Sequence, residues 1–120
     1  MALRCLIVDD SAGFLQAARA LLSQQGVTVV GVASTGQEAL ARAGELCPDV
    51  TLVDIDLDGE SGVVLARRLV EEGGVDPGSV ILISAHAGEE FVDLVEASPA
   101  AGFLSKSDLS AQAISALLGR

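Results

Sequence analysis

Tryptophan and tyrosine are absent from the 120 residues, and the aromatic side chains are three phenylalanines, Phe14, Phe91 and Phe103. Basic residues are scarce as well, with seven Lys and Arg against 17 Asp and Glu for a net charge of −10. No stretch gathers the few cations into a patch that could track phosphates, which argues against direct nucleic-acid binding by this chain. Two cysteines, Cys5 and Cys47, cannot supply the dense framework of a small secreted domain, and their apolar surroundings read as those of buried free thiols. Long hydrophobic runs are missing too. The first apolar run, residues 5–8, stops at two aspartates and is too short for a signal-peptide core or a membrane span. No membrane association and a cytoplasmic location are therefore expected. Repeats, linkers and low-complexity stretches are lacking, so residues 1–120 are expected to form one domain. Gly119 and Arg120 fall about where a last helix would finish, and no output domain is expected after it.

What remains is a globular composition, half hydrophobic and a fifth charged. Short β-rich apolar runs recur at residues 3–8, 27–33, 50–53, 80–83 and 102–104, each bounded by polar residues or glycine. Helical spacing lies between and after them: Phe14, Leu15, Ala18, Leu21 and Leu22 in the first such stretch, Phe91, Leu94 and Val95 in the fourth, and Ile114, Leu117 and Leu118 in the last. Thr35 and Glu38 have capping-box spacing, Gly26 and the Gly73, Gly74 pair suit helix stops, and Asp76, Pro77 and Gly78 suit a turn. Strict alternation of strand and helix predicts an α/β fold, (βα)5, with a parallel sheet covered on both faces.

Parallel strands all end at one edge, the edge at which open α/β folds bind ligands. Asp9 and Asp10 follow the first strand, Asp54 the third, Ser84 the fourth and Lys106 the fifth. Taken singly, each has an ordinary reading: a helix cap for Asp9 or Asp10, a turn for Asp54, a solvated charge for Lys106. Taken together, three carboxylates at one edge repel one another unless a cation joins them. Oxygen-only ligands favour Mg²⁺ or Mn²⁺, and one such ion with Lys106 balances three carboxylates, leaving a neutral site open to a phosphate donor. Phosphoryl transfer needs an in-line nucleophile and positive charge around the equatorial oxygens, which makes Asp54 a candidate for carrying an aspartyl-phosphate.

The set V-D-D at 8–10, V-D at 53–54, S-A at 84–85 and F-L-S-K at 103–106 resembles the receiver domain of two-component response regulators over essentially the whole chain. The resemblance implies a doubly wound, flavodoxin-like sheet of strand order 2-1-3-4-5 with its site at the switch point. It implies that Asp10 binds Mg²⁺ directly, Asp9 mainly through water, that Asp54 accepts the phosphoryl group and that the Asp56 main-chain carbonyl completes the metal ligands. It also implies that Lys106 contacts a phosphoryl oxygen, that Ser84 is the switch hydroxyl, and that Phe103 is the switch aromatic, a plain core position being the other reading of Phe103. The implied donor is a histidine kinase or phosphotransfer protein. The implied output is a phosphorylation-driven conformational switch read by a partner or a second copy on the face of the fourth helix, fifth strand and fifth helix. No turnover of an external substrate is expected, only self-phosphorylation and autodephosphorylation.

Two positions depart from the family pattern: Asp58 stands where proline is usual, and Ser107 replaces a cis-forming proline, so a trans bond is expected after Lys106. Asp56 and His86 occupy positions that vary with autodephosphorylation rate in this family. Three rival readings use the same acids. D-I-D-L-D-G at 54–59 opens like an EF-hand loop, but its twelfth position is Leu65 rather than Glu. Asp56 and Asp58 resemble the nucleophile and general acid of a haloacid-dehalogenase-type phosphohydrolase, although Glu60 follows and the motif sits at the third strand. The third rival is a receiver-like interaction module that takes no phosphate.

Overall fold

A computed structural model describes residues 3–57, 59–85 and 100–119. Its main sheet is five-stranded and parallel: β1 (Arg4–Val8), β2 (Thr28–Ala33), β3 (Val50–Asp54), β4 (Val80–Ser84) and β5 (Gly102–Ser105), in the order β2-β1-β3-β4-β5. Helices α1 (Ala12–Gln24), α2 (Gly36–Leu46) and α3 (Gly62–Glu71) and a further helix, Ala111–Leu118, cover it. The continuous apolar runs have their reason in two buried layers. Leu6, Val8, Val53 and Leu82 face α2 and α3, while Cys5, Ile7, Leu52, Ile81 and Ile83 face α1 and the helix Ala111–Leu118. Each such side chain contributes about 1.5–3 kcal/mol by leaving water, more than a helix cap at about 1 kcal/mol, so the strand runs dominate the stability of the fold.

The caps then set where the helices start and stop. Thr35 Oγ1 accepts from Glu38 N at 3.1 Å, and the Glu38 carboxylate accepts from Ser34 N at 3.2 Å. Gly26, at φ 87°, ends α1 in a Schellman arrangement, its own N–H donating to Ser23 O and that of Val27 to Leu22 O. Asp76 caps a short 3₁₀ turn, Pro77–Ser79, through Gly78 N.

The helical spacing of α1 holds, and the reading of Cys47 as a buried thiol is corrected. Leu21 is exposed at 38%, because it lies at the edge of the stripe whose centre is Ala18 and Leu22. Cys47 is exposed, because it occupies the left-handed C-cap of α2, where the chain turns outward before β3. The segment after β3 forms a small antiparallel hairpin, Asp56–Leu57 against Glu60–Ser61. The Lys106–Ser107 bond is trans. Asp58, His86, Phe91, Leu94 and Val95 lie outside the described residues.

The two thiols should differ in chemistry. Burial pushes the Cys5 thiol up to about 12, so it stays protonated and shielded. Native protein treated with a thiol reagent at mildly alkaline pH should label at Cys47 alone, and denaturant should expose the second thiol. Two labels on the native protein would contradict the packing of β1.

Candidate functional site

The order β2-β1-β3 makes the chain leave β1 toward one side of the sheet and return on the other, which opens a crevice where β1 and β3 end. Asp9 sits directly after β1, held there by its N–H donating to Ala33 O at 2.9 Å. Its carboxylate does not cap α1. Ser11 is the cap, its hydroxyl accepting from Phe14 N, while Asp9 Oδ1 accepts from Ser11 N at 2.8 Å. That turn aims Asp9 at the crevice and leaves the neighbouring Asp10 exposed at its mouth. Asp54 ends β3, with Oδ1 accepting from Asp56 N at 3.1 Å. One oxygen from each of Asp9, Asp10 and Asp54 lies within 4.8 Å of the others.

Lys106, the first residue past β5, reaches over this cluster. Its Nζ is 2.6 Å from Asp9 Oδ2 and 3.3 Å from Asp54 Oδ2. Ser84 closes β4 and is buried, one residue beyond Ile83, whose carbonyl accepts from Ile55 N. The three acids and the ammonium lie together at this edge, and Ser84 ends the neighbouring strand. Asp56 is close in chain but exposed. Phe103 is partly buried on β5 and packs against the core layer of α2 and α3. Leu65, the residue an EF-hand would need as a ligand, is buried among apolar side chains.

The electrostatics follow from burial. Asp9 is fully buried and Asp54 nearly so. Burial raises the Asp54 carboxyl above its ordinary range, the Asp56 N–H draws it back, Asp9 raises it again and Lys106 lowers it. For Lys106, burial works against the ammonium, but the contacts with Asp9 and Asp54 outweigh it and the pKa is raised. The Asp9 contact is short, yet it lies off the hydrogen-bonding direction, so Asp9 Oδ2 is a buried oxygen with no hydrogen-bond donor in line. A buried acceptor of that kind beside two more carboxylates is a donor set for a hard cation, and Asp9, Asp10 and Asp54 can hold a divalent ion.

Two contributors escaped the sequence reading. Phe14, assigned to the core stripe of α1, also places its ring 4.3 Å from Lys106 Nζ, a cation–π contact that steadies the ammonium. Its place in the first turn after Asp10 was the available signal. Glu60, read only as an obstacle to the phosphohydrolase motif, accepts from Gly36 N at the start of α2, at 3.3 and 3.1 Å. Nothing local in sequence joins those two residues.

The response regulator receiver domain model matches residues 5–117, and the chain belongs to that family. Among curated proteins, it is 39% identical over 89 residues to protein-glutamate methylesterase/protein-glutamine glutaminase 5 of Myxococcus xanthus, covering 73% of this chain but 25% of that protein. It is 29% identical over 90 residues to chemotaxis protein CheY of Thermotoga maritima, covering 75% of this chain and 72% of that one. Among solved structures, the response regulator domain of Thermotoga maritima CheB superposes with a TM-score of 0.77 at 28% identity, over 99% of this chain and 92% of that one. The chain spans about a quarter to a third of the methylesterases it matches, and the shared part is the flavodoxin-like receiver fold. No described helix is long and apolar enough to cross a membrane.

Proposed function

We propose that this receiver domain accepts a phosphoryl group on Asp54 from a histidine kinase or phosphotransfer protein, in a reaction that requires Mg²⁺, with Mn²⁺ able to substitute. The observation that carries the proposal is the Lys106 ammonium lying between Asp9 and Asp54 over a three-carboxylate cluster. Asp9, Asp10, Asp54 and the Asp56 carbonyl would hold the ion, which supplies positive charge to the phosphoryl oxygens. An Asp54 carboxylate oxygen attacks phosphorus, the new O–P bond forms as the donor's bond to phosphorus breaks, and Lys106 neutralises charge on the transferred group. Phe14 limits where the ammonium can go.

Phosphorylation then acts as a ligand that one conformation satisfies better than the other, with the Ser84 hydroxyl turning onto the phosphoryl group and Phe103 following. The output surface would include β5 and the helix Ala111–Leu118, where a partner or a second copy docks; the fourth-helix part of that surface lies outside the described residues. Scattering with and without a beryllofluoride mimic distinguishes a monomer from a phosphorylation-dependent dimer. The work would be done in the cytoplasm and without turnover of an external substrate.

The direct test is incubation with acetyl phosphate and Mg²⁺ followed by intact-mass analysis. One phosphoryl group should be gained, and a chelator should prevent the gain. No gain under any condition would leave a receiver-like interaction module.

A further inference from the structure

The hairpin after Asp54 carries the Asp56 carbonyl, and its own pairing is short. Its strands are two residues each, a length that is marginal alone, and no proline fixes φ between Asp54 and Gly62. Among the described residues, three anchors compensate. Leu57 is buried in the layer of α2 and α3. Gly62 N donates to Ile55 O at 2.7 Å, closing the base of the loop, and position 62 accepts only glycine because a Cβ would overlap the Asp54 carbonyl. The third anchor is Glu60, whose two carboxylate oxygens straddle the N–H of Gly36 at 3.3 and 3.1 Å.

That third contact is placed to matter. Gly36 is the first residue of α2, so its N–H has no acceptor within the helix, and the positive end of the helix dipole favours a carboxylate there. A Cβ at Gly36 would overlap Glu60 Oε2, so a glycine is what lets the carboxylate come so close. In the hairpin Leu57 pairs with Glu60 and Asp56 with Ser61, and Asp56 N is in turn bonded to Asp54 Oδ1. A tether at Glu60 is therefore passed through one short ladder to both the Asp56 main chain and the Asp54 carboxylate.

We propose that Glu60 is a positioning residue for the ion site: clamped on Gly36, it holds the hairpin so that the Asp56 carbonyl stands ready as a metal ligand. The proposal rests on the reading of the acid cluster as a Mg²⁺-dependent phosphoacceptor. It gives a solvent-facing acid, near a site already rich in acids, a role in geometry rather than in charge.

Three variants separate the two roles, read by calorimetric titration with Mg²⁺ and by amide exchange at residue 36. Glu60→Ala should weaken Mg²⁺ binding roughly 10-fold, the lower end of losses seen when outer-shell partners are removed, and should speed exchange of the Gly36 amide. Glu60→Gln keeps an acceptor oxygen without the charge and should recover most of the affinity. Gly36→Ala keeps the charge but displaces the carboxylate, and should match the loss of Glu60→Ala, with the double variant no weaker than either single one. Should Glu60→Ala fail to fold, the Gln and Gly36 variants still decide the matter. Glu60→Gln as weak as Glu60→Ala, or Gly36→Ala as tight as wild type, would overturn the clamp while leaving the site itself intact. A wild-type chain that binds no Mg²⁺ would overturn both.

Discussion

Replacing Lys106 with Met should lower the rate of phosphoryl incorporation at saturating Mg²⁺ by about 10²–10³, the usual loss when one preorganised stabiliser of a transferring group is removed. The same substitution should also destabilise the metal-free fold. Asp9 and Asp54 have side chains 0% and 8% exposed, and Lys106 is, among the described residues, the cation that reaches both. Breaking a buried pair by deleting one partner costs about 3–5 kcal/mol, and the lower end applies here because the lysine side chain is itself 17% exposed. Urea denaturation should therefore show a loss without Mg²⁺ that shrinks as Mg²⁺ is added, since an ion that binds only the folded chain stabilises it by mass action. Because the Lys106 pKa is raised in the folded chain, the stabilisation it provides is complete below the ordinary lysine value of about 10.4 and is lost as pH rises through the higher folded value. An unchanged rate in Lys106→Met would remove the ammonium from the chemistry.

The second large effect is expected at the nucleophile. Asp54→Asn should abolish phosphoryl incorporation, whereas Asp56→Asn should retain it, because the part of Asp56 proposed to act is its main-chain carbonyl. Stability should move the other way. Burial first and Asp9 second disfavour the ionised Asp54 carboxylate, so the neutral amide should raise the melting temperature without metal. Added Mg²⁺ should reverse the order, since the wild-type carboxylate gains a partner that the amide cannot bind as well. Incorporation that survives Asp54→Asn but disappears in Asp56→Asn would instead favour a phosphohydrolase of the haloacid-dehalogenase type.

Much of this was legible in the sequence for one physical reason. A strand buried on both faces must be apolar throughout, so the first polar residue after each run marks the strand's end and, in a parallel sheet, the common edge. Asp9, Asp54 and Ser84 stand at such positions, Lys106 comes one residue after the polar Ser105, and the sheet order sets the ends of these strands side by side. The contacts that escaped are of another kind. Phe14 serves the core and the lysine at once, and a hydrophobic stripe reveals only the first. Glu60 meets Gly36 across 24 positions, between the hairpin before α3 and the first residue of α2, whose approach depends on how α2 and α3 pack. The hairpin strands of two residues are too short to show a period, so nothing in D-I-D-L-D-G marks them. Cys47 shows the same weakness, for the left-handed cap that turns it outward is set by where α2 stops, not by the apolar residues near it.

The claim on which the account stands is that the side chains after β1, β3, β4 and β5 serve one ion and one phosphorus atom. Crystals grown with Mg²⁺ and beryllofluoride would test it most directly. The expected map has a single Mg²⁺ among Asp9, Asp10 and Asp54, with the fluoride complex on an Asp54 oxygen and in contact with Lys106. Density for the complex on Asp56, or an ion bound away from the Asp9, Asp10 pair, would contradict it.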